Sequence, residues 1–165
     1  IEEDNKFSVY IKKNKDVLNR WFLSNSTHVV DLAFFLGGKP QEISCYSSGE
    51  EVLDWHPSSS IFNGSGKTKN NVLFSYQANW IAPGRWSLEF MTNKHRLIFK
   101  PIEKLQIQKV GSINIEEFII DNSLDVSFKP GLYKQVESFL SDNLENLCSL
   151  ADQLEIFQTY KNNYG

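Results

Sequence analysis

The sequence predicts an α+β fold, an open and mostly antiparallel sheet with helices packed on one face. Three observations carry that prediction. Between residues 72 and 120 the chain breaks into short segments that alternate apolar and polar residues, with turn residues between them. Residues 25–38 form an apolar block bounded by helix start and stop signals. After residue 130, apolar residues recur at helical spacing.

The elements follow in order. Residues 6–12 alternate, with Phe7, Val9 and Ile11 on one side, and read as a half-buried strand. A polar connection over residues 13–24 then carries Trp21 and Phe22 into a helix. Asn25 or Ser26 supplies its N-cap, Gly37-Gly38 its left-handed exit, and Pro40 prevents resumption. Nearly every residue between is apolar, so this helix is expected to be buried on most sides, with His28 and Asp31 as its polar exceptions. Residues 41–47 form a second strand with Ile43 and Cys45 on one face. Residues 47–71, rich in Ser, Gly and Asn, read as a long mobile loop.

Residues 72–80 give the clearest strand, with Val72, Phe74, Tyr76, Ala78 and Trp80 on one face. Turn chemistry at Ala82-Pro83-Gly84 suggests a hairpin with residues 85–92. Residues 96–100 and 105–110 continue the meander, and residues 113–120 and 125–128 are weaker extended segments. The second sheet face is mixed (Arg85, Glu89, Met91, Arg96, Ile98), as expected of a face half solvated or covered by a partner. Pro130-Gly131 opens a helix from Leu132 to about Ser141. Ser149 caps a last helix whose stripe is Leu150, Leu154 and Phe157.

The length of 165 residues fits a single domain over 1–165 with a real core. A net charge of -3 without a Lys/Arg cluster excludes a surface built for nucleic acid. No apolar run reaches the roughly 20 residues of a membrane helix, and no signal-peptide pattern is present. Cys45 and Cys148 lie far apart among apolar neighbours and read as reduced, buried thiols, which points to the cytoplasm. The start at Ile1-Glu2-Glu3-Asp4 suggests a piece of a longer chain.

Four groups of residues invite a chemical reading. Gly64-Ser65-Gly66-Lys67-Thr68 ends like a phosphate-binding loop, but Ile61 stands where the motif needs a glycine, and no strand precedes it. His28, His56 and His95 are too dispersed for a metal site, so no metal is expected. Trp80, Arg85 and Trp86 suggest a sugar-stacking surface, yet strand parity puts both tryptophans on the core side. His28 is the remaining candidate. The positive end of the helix dipole disfavours its imidazolium, while Asp31 favours it, which suits proton exchange near neutral pH. The alternative is a core histidine hydrogen-bonded to Asp31 or to a backbone carbonyl.

The run Ser26-Thr27-His28-Val29-Val30-Asp31-Leu32 resembles the His-x-x-Asp helix in the second domain of Gfo/Idh/MocA oxidoreductases. Phe74 to Trp80 with Pro83-Gly84-Arg85-Trp86, Leu97 to Leu105, and Phe128-Lys129-Pro130-Gly131-Leu132-Tyr133 fit the same family in the same order. The resemblance implies the C-terminal, substrate-binding and dimerising half of an NAD(P)-dependent enzyme acting on a hydroxyl of a sugar, sugar nucleotide or cyclitol. NAD or NADP would be bound by an N-terminal Rossmann domain, since no Gly-x-Gly-x-x-Gly is present here. The chain by itself would then be inactive. His28 would contact the hydroxyl being oxidised. Ser24 stands where many members carry an aspartate, and a serine holds no charge. Substrate contact would then fall to Ser24, Asn25, Ser26, Asp31 and Tyr133. A homodimer through the sheet face is implied as well. The alternative is a non-catalytic binding or oligomerisation module of the same fold.

Overall fold

The computed structural model describes residues 22–53 and 59–164, without the side chains of Ser24, Asn146 and residues 162–164. The strand expected over residues 6–12, most of the connection after it, and His56 lie outside the described residues. Among the described residues the fold is α+β, with helices and two antiparallel sheets. The chain divides into two units, Ile1–Trp86 with Ile156–Gly165, and Ser87–Glu155.

In the first unit a π-helical turn, Phe22–Ser26, runs directly into helix α1, Thr27–Gly37. The expected cap is therefore absent. Ser26 keeps helical backbone angles and makes no side-chain capping bond, and the Thr27 hydroxyl instead donates to the Leu23 carbonyl at 2.9 Å. The helix stops as its sequence dictates. Gly38 takes a positive φ of 98° and its N–H donates to the Phe34 carbonyl at 2.9 Å.

Helix α1 is less enclosed than its composition suggests. Val30 and Phe34, four residues apart, are buried, whereas Phe35 is 71% exposed. The apolar residues of this helix exceed what one sheet face can cover.

Strands β1 (Pro40–Ser48), β2 (Ile61–Thr68) and β3 (Leu73–Asn79) pair in that order, antiparallel throughout. The central strand lies inside the segment expected to be a loop. Its Ser, Gly and Asn content misled because the glycines serve close approach. A Cβ on Gly64 would strike the Tyr76 hydroxyl and the Ser44 carbonyl, and one on Gly66 would strike the Glu42 carbonyl and come within 2.7 Å of the Phe74 ring. Strand β3 thus pairs with β2, and the expected hairpin between β3 and the segment after Gly84 does not form. At its end the Asn79 side chain accepts hydrogen bonds from the backbone N–H groups of Ile81 and Ala82, both at 3.1 Å, and bends the chain away.

The core of this unit is aromatic. Phe22 meets Phe62 edge-on at 5.1 Å, Phe34 meets Phe74 edge-on at 5.0 Å, and Tyr160 lies against both Phe22 and Phe34. Ile43, Cys45, Tyr76, Ala78 and Trp80 pack around them, as the alternation of β1 and β3 requires. Tyr160 comes from the last helix, α4, Leu150–Tyr164. Ser149 does cap that helix, accepting a bond from the Asp152 N–H at 3.1 Å. Its inward residues are Ile156 and Tyr160, while Leu150, Leu154 and Phe157 are exposed, so the expected stripe is rotated.

In the second unit β4 (Leu88–Met91), β5 (His95–Phe99), β6 (Leu105–Lys109) and β7 (Ile115–Phe118) form an antiparallel meander in chain order. The Thr92 hydroxyl closes the first turn, accepting from the N–H groups of Lys94 and His95. On the mixed face Arg96 pairs with Glu89 at 2.6 Å beside the buried Ile98. Residues expected to extend over 125–128 instead belong to a short helix, α2 (Ser123–Ser127), where the Asp125 carboxylate accepts a bond from the Gly131 N–H at 2.9 Å. Gly131, at φ 74°, leads into α3, Leu132–Leu140, as the sequence indicates. Cys148 is exposed rather than buried, and Cys45 is half-buried, with burial holding its thiol above the ordinary range.

Candidate functional site

Helix α1 carries the two polar side chains singled out in the sequence, and it places them differently. His28 is exposed to solvent, while Asp31, one turn on, is half-buried. The His28 ring lies beside Trp86, with centroids 5.4 Å apart and planes at 43°. The Asp31 carboxylate accepts a hydrogen bond from the Tyr160 hydroxyl, a group 129 residues further along the chain. Tyr160 is 1% exposed, so this bond anchors Asp31 from the core side.

Burial pushes the Asp31 carboxyl above its ordinary range. The Tyr160 hydrogen bond and the neighbouring His28 pull against that rise without cancelling it. The arrangement sets an imidazole open to solvent one helix turn from a carboxylate whose position is fixed by a tyrosine. His28 does not stand at a free helix end, because the chain before it is a π-helical turn.

Of the other residues proposed for substrate contact, Asn25 is half-buried and Ser26 is buried. Ser24 lies in the same π-helical turn. Tyr133 belongs to the second unit, where its ring packs on Phe128 at 4.9 Å and lines an apolar groove with Leu132, Val136 and Leu140. His28, Asp31 and the turn carrying Ser24, Asn25 and Ser26 are thus local to one another by chain geometry.

Sequence reasoning missed two members of this neighbourhood. Tyr160 carries no local signal, since its partner is remote in sequence and its helix is assigned a different stripe. Trp86 is misassigned by parity. It follows the Pro83-Gly84 turn in a segment that is not strand, so alternation counted from β4 does not apply to it, and it is 43% exposed. Trp80, still close to β3, does pack on the core as expected.

The Gly64–Thr68 run lies within a paired strand, and the space above its glycines is filled by neighbours, so it does not fit a phosphate. Among the described residues no group of His, Cys, Asp and Glu could hold a metal ion, and no helix is long and apolar enough to cross a membrane.

Against known proteins, no family model and no curated protein sequence matches the chain. Among solved structures it is similar to a levoglucosan dehydrogenase in complex with NADH and levoglucosan, at a TM-score of 0.50 and 18% identity, over 60% of this chain and 30% of that one. The chain therefore spans under a third of that enzyme's length. The likeness establishes a shared fold.

Proposed function

We propose that this chain is the substrate-binding part of an NAD(P)-dependent oxidoreductase that acts on a hydroxyl of a sugar, sugar nucleotide or cyclitol. The observation that carries the reading is the exposed His28 ring beside an Asp31 fixed by Tyr160. The family resemblance of the sequence and the fold shared with a dehydrogenase solved with NADH and levoglucosan support it.

In this reading His28 accepts the proton of the substrate hydroxyl, and Asp31 stabilises the imidazolium that results. Ser24, Asn25 and Ser26 line the approach to the hydroxyl, and Tyr133 belongs to the substrate-binding set. A nicotinamide supplies hydride-accepting chemistry in such enzymes. Dinucleotide binding is assigned in this reading to a further segment, as the family resemblance implies, and this chain is inactive without it. A cytoplasmic location and a homodimer through the β4–β7 sheet face belong to the same reading.

The test is turnover. A longer reading frame that includes a dinucleotide-binding segment should reduce NAD or NADP with a sugar or cyclitol, and His28→Ala should lower kcat by about a hundredfold or more. Unchanged turnover in His28→Ala rejects the role given to His28.

One observation favours a second reading, a non-catalytic binding or assembly module. Phe128, Leu132, Val136 and Leu140 line an exposed apolar groove of about 530 Å³ in the second unit. A longer reading frame that lacks any dinucleotide-binding segment would support this reading over the first.

A further inference from the structure

We propose that Trp86 is the platform on which the ring of a sugar or cyclitol lies while one of its hydroxyls reaches His28, an assignment that rests on the oxidoreductase reading above. Tryptophan carries the largest apolar surface of any side chain, and leaving nearly half of it in water forfeits burial energy. Trp80, six residues earlier, gains that energy by packing on the aromatic core. Trp86 is 43% exposed instead, and the ring beside it is the exposed imidazole of His28.

The geometry suits an amphipathic ligand. The two rings stand 5.4 Å apart and are tilted by 43°. Trp86 brings a π face with negative charge density, and His28 brings ring nitrogens that exchange hydrogen bonds. A pyranose or cyclitol has the matching division: a face of weakly positive C–H bonds and a rim of hydroxyls. An apolar wall with a few placed polar groups is also the usual make-up of a small-molecule site.

The backbone places Trp86 there without help from a sheet. The Asn79 side chain turns the chain off β3 by accepting the Ile81 and Ala82 N–H groups. A Cβ added at Gly84 would meet nothing within 4 Å, so the turn leading to Trp86 is open rather than packed.

The test uses this chain and four probes: glucose, levoglucosan and myo-inositol as cyclic ligands, and sorbitol as the acyclic control. Titrations followed by NMR at the indole N–H of Trp86 and at the His28 ring should show both shifting with cyclic probes and neither with sorbitol. Trp86→Ala should weaken cyclic-probe binding by about tenfold, read at His28, and Trp86→Phe by no more than about threefold. Circular dichroism checks that both variants keep the fold. Shifts at His28 that survive Trp86→Ala with unchanged affinity overturn the platform and leave the oxidoreductase reading standing. Equal response to sorbitol, or no shift at either ring with any cyclic probe, also overturns it. Cyclic probes that bind through Trp86 while the longer protein fails to reduce NAD or NADP uphold the platform and reject the oxidation.

Discussion

The Tyr160 hydroxyl donates a hydrogen bond to the Asp31 carboxylate, joining the last helix of the chain to the first described one. The bond couples the core to the candidate site. The Tyr160 ring packs on Phe22 and Phe34, while Asp31 shares its helix turn with the exposed His28. A change in the position of α4 therefore reaches α1 at two places, the Phe34 ring and the Asp31 carboxylate.

Tyr160→Phe tests that coupling with little change in packing. The ring contacts stay, and the Asp31 carboxylate loses its donor. A hydrogen bond to a charged group contributes about 1.5–3 kcal/mol, and the half-buried position of Asp31 sets the expectation near the lower end, about 1–2 kcal/mol. Urea unfolding should show a lower midpoint with an unchanged slope. Tyr160→Ala also empties the aromatic core and should cost about 3–5 kcal/mol. Equal midpoints for Tyr160→Phe and the parent chain would show that the bond contributes nothing.

Gly66→Ala examines why β2 tolerates so much glycine. The added methyl would overlap the Glu42 carbonyl across the strand pair, and that backbone atom cannot move without disturbing β1. Overpacking of this kind costs about 1–3 kcal/mol. Gly84→Ala, with nothing within 4 Å of the new Cβ, is the control and should stay within about 0.5 kcal/mol. Thermal unfolding of the two variants side by side decides it.

These glycines also mark where the sequence stopped being readable. The α+β class, strands β3, β5 and β6, and helix α3 all follow from local periodicity, and they stand where periodicity puts them. Strand β2 does not, because Gly64 and Gly66 answer to atoms on β1 and β3 that no local window contains. Sheet membership was hidden for the same reason. The hairpin expected after β3 depends on whether a turn closes, and the Asn79 side chain bends the chain away instead. At the candidate site, His28 and Asp31 stood out as polar residues on an apolar helix. Tyr160 did not, since a partner 129 residues away leaves no trace in spacing. Trp86 was visible as a residue and misplaced as a side chain, because strand alternation was extended into a segment that is not strand.

Helix α1 offers a sharp contrast between neighbours. Phe34 is 4% exposed and sits edge-on to Phe74, whereas Phe35 is 71% exposed. Phe34→Ala should cost about 3–5 kcal/mol through the cavity it leaves. Phe35→Ala should stay within about 0.5 kcal/mol, since it removes no buried contact. If denaturant midpoints fell equally for both, the face of α1 that meets the sheet would have been assigned wrongly.

The last prediction concerns the charge on Asp31. Its carboxyl sits above the ordinary value of 3.8 because burial penalises the charged form more than Tyr160 and His28 favour it. Below the ordinary value the group is protonated in both the folded and the unfolded chain, and it costs nothing. Between the ordinary and the raised value the folded chain binds more protons than the unfolded one, so stability falls as pH rises. Above the raised value the cost is complete and constant. Asp31→Asn stays neutral throughout, and its amide oxygen still accepts the Tyr160 hydrogen bond. The stability of Asp31→Asn minus that of the parent chain should therefore grow from about pH 3 upward and level off once the raised value is passed. The other carboxylates cancel in that difference because both chains carry them. Urea midpoints measured across the range test it, and a difference that shrinks with rising pH would mean that Asp31 is stabilised, rather than penalised, as a carboxylate.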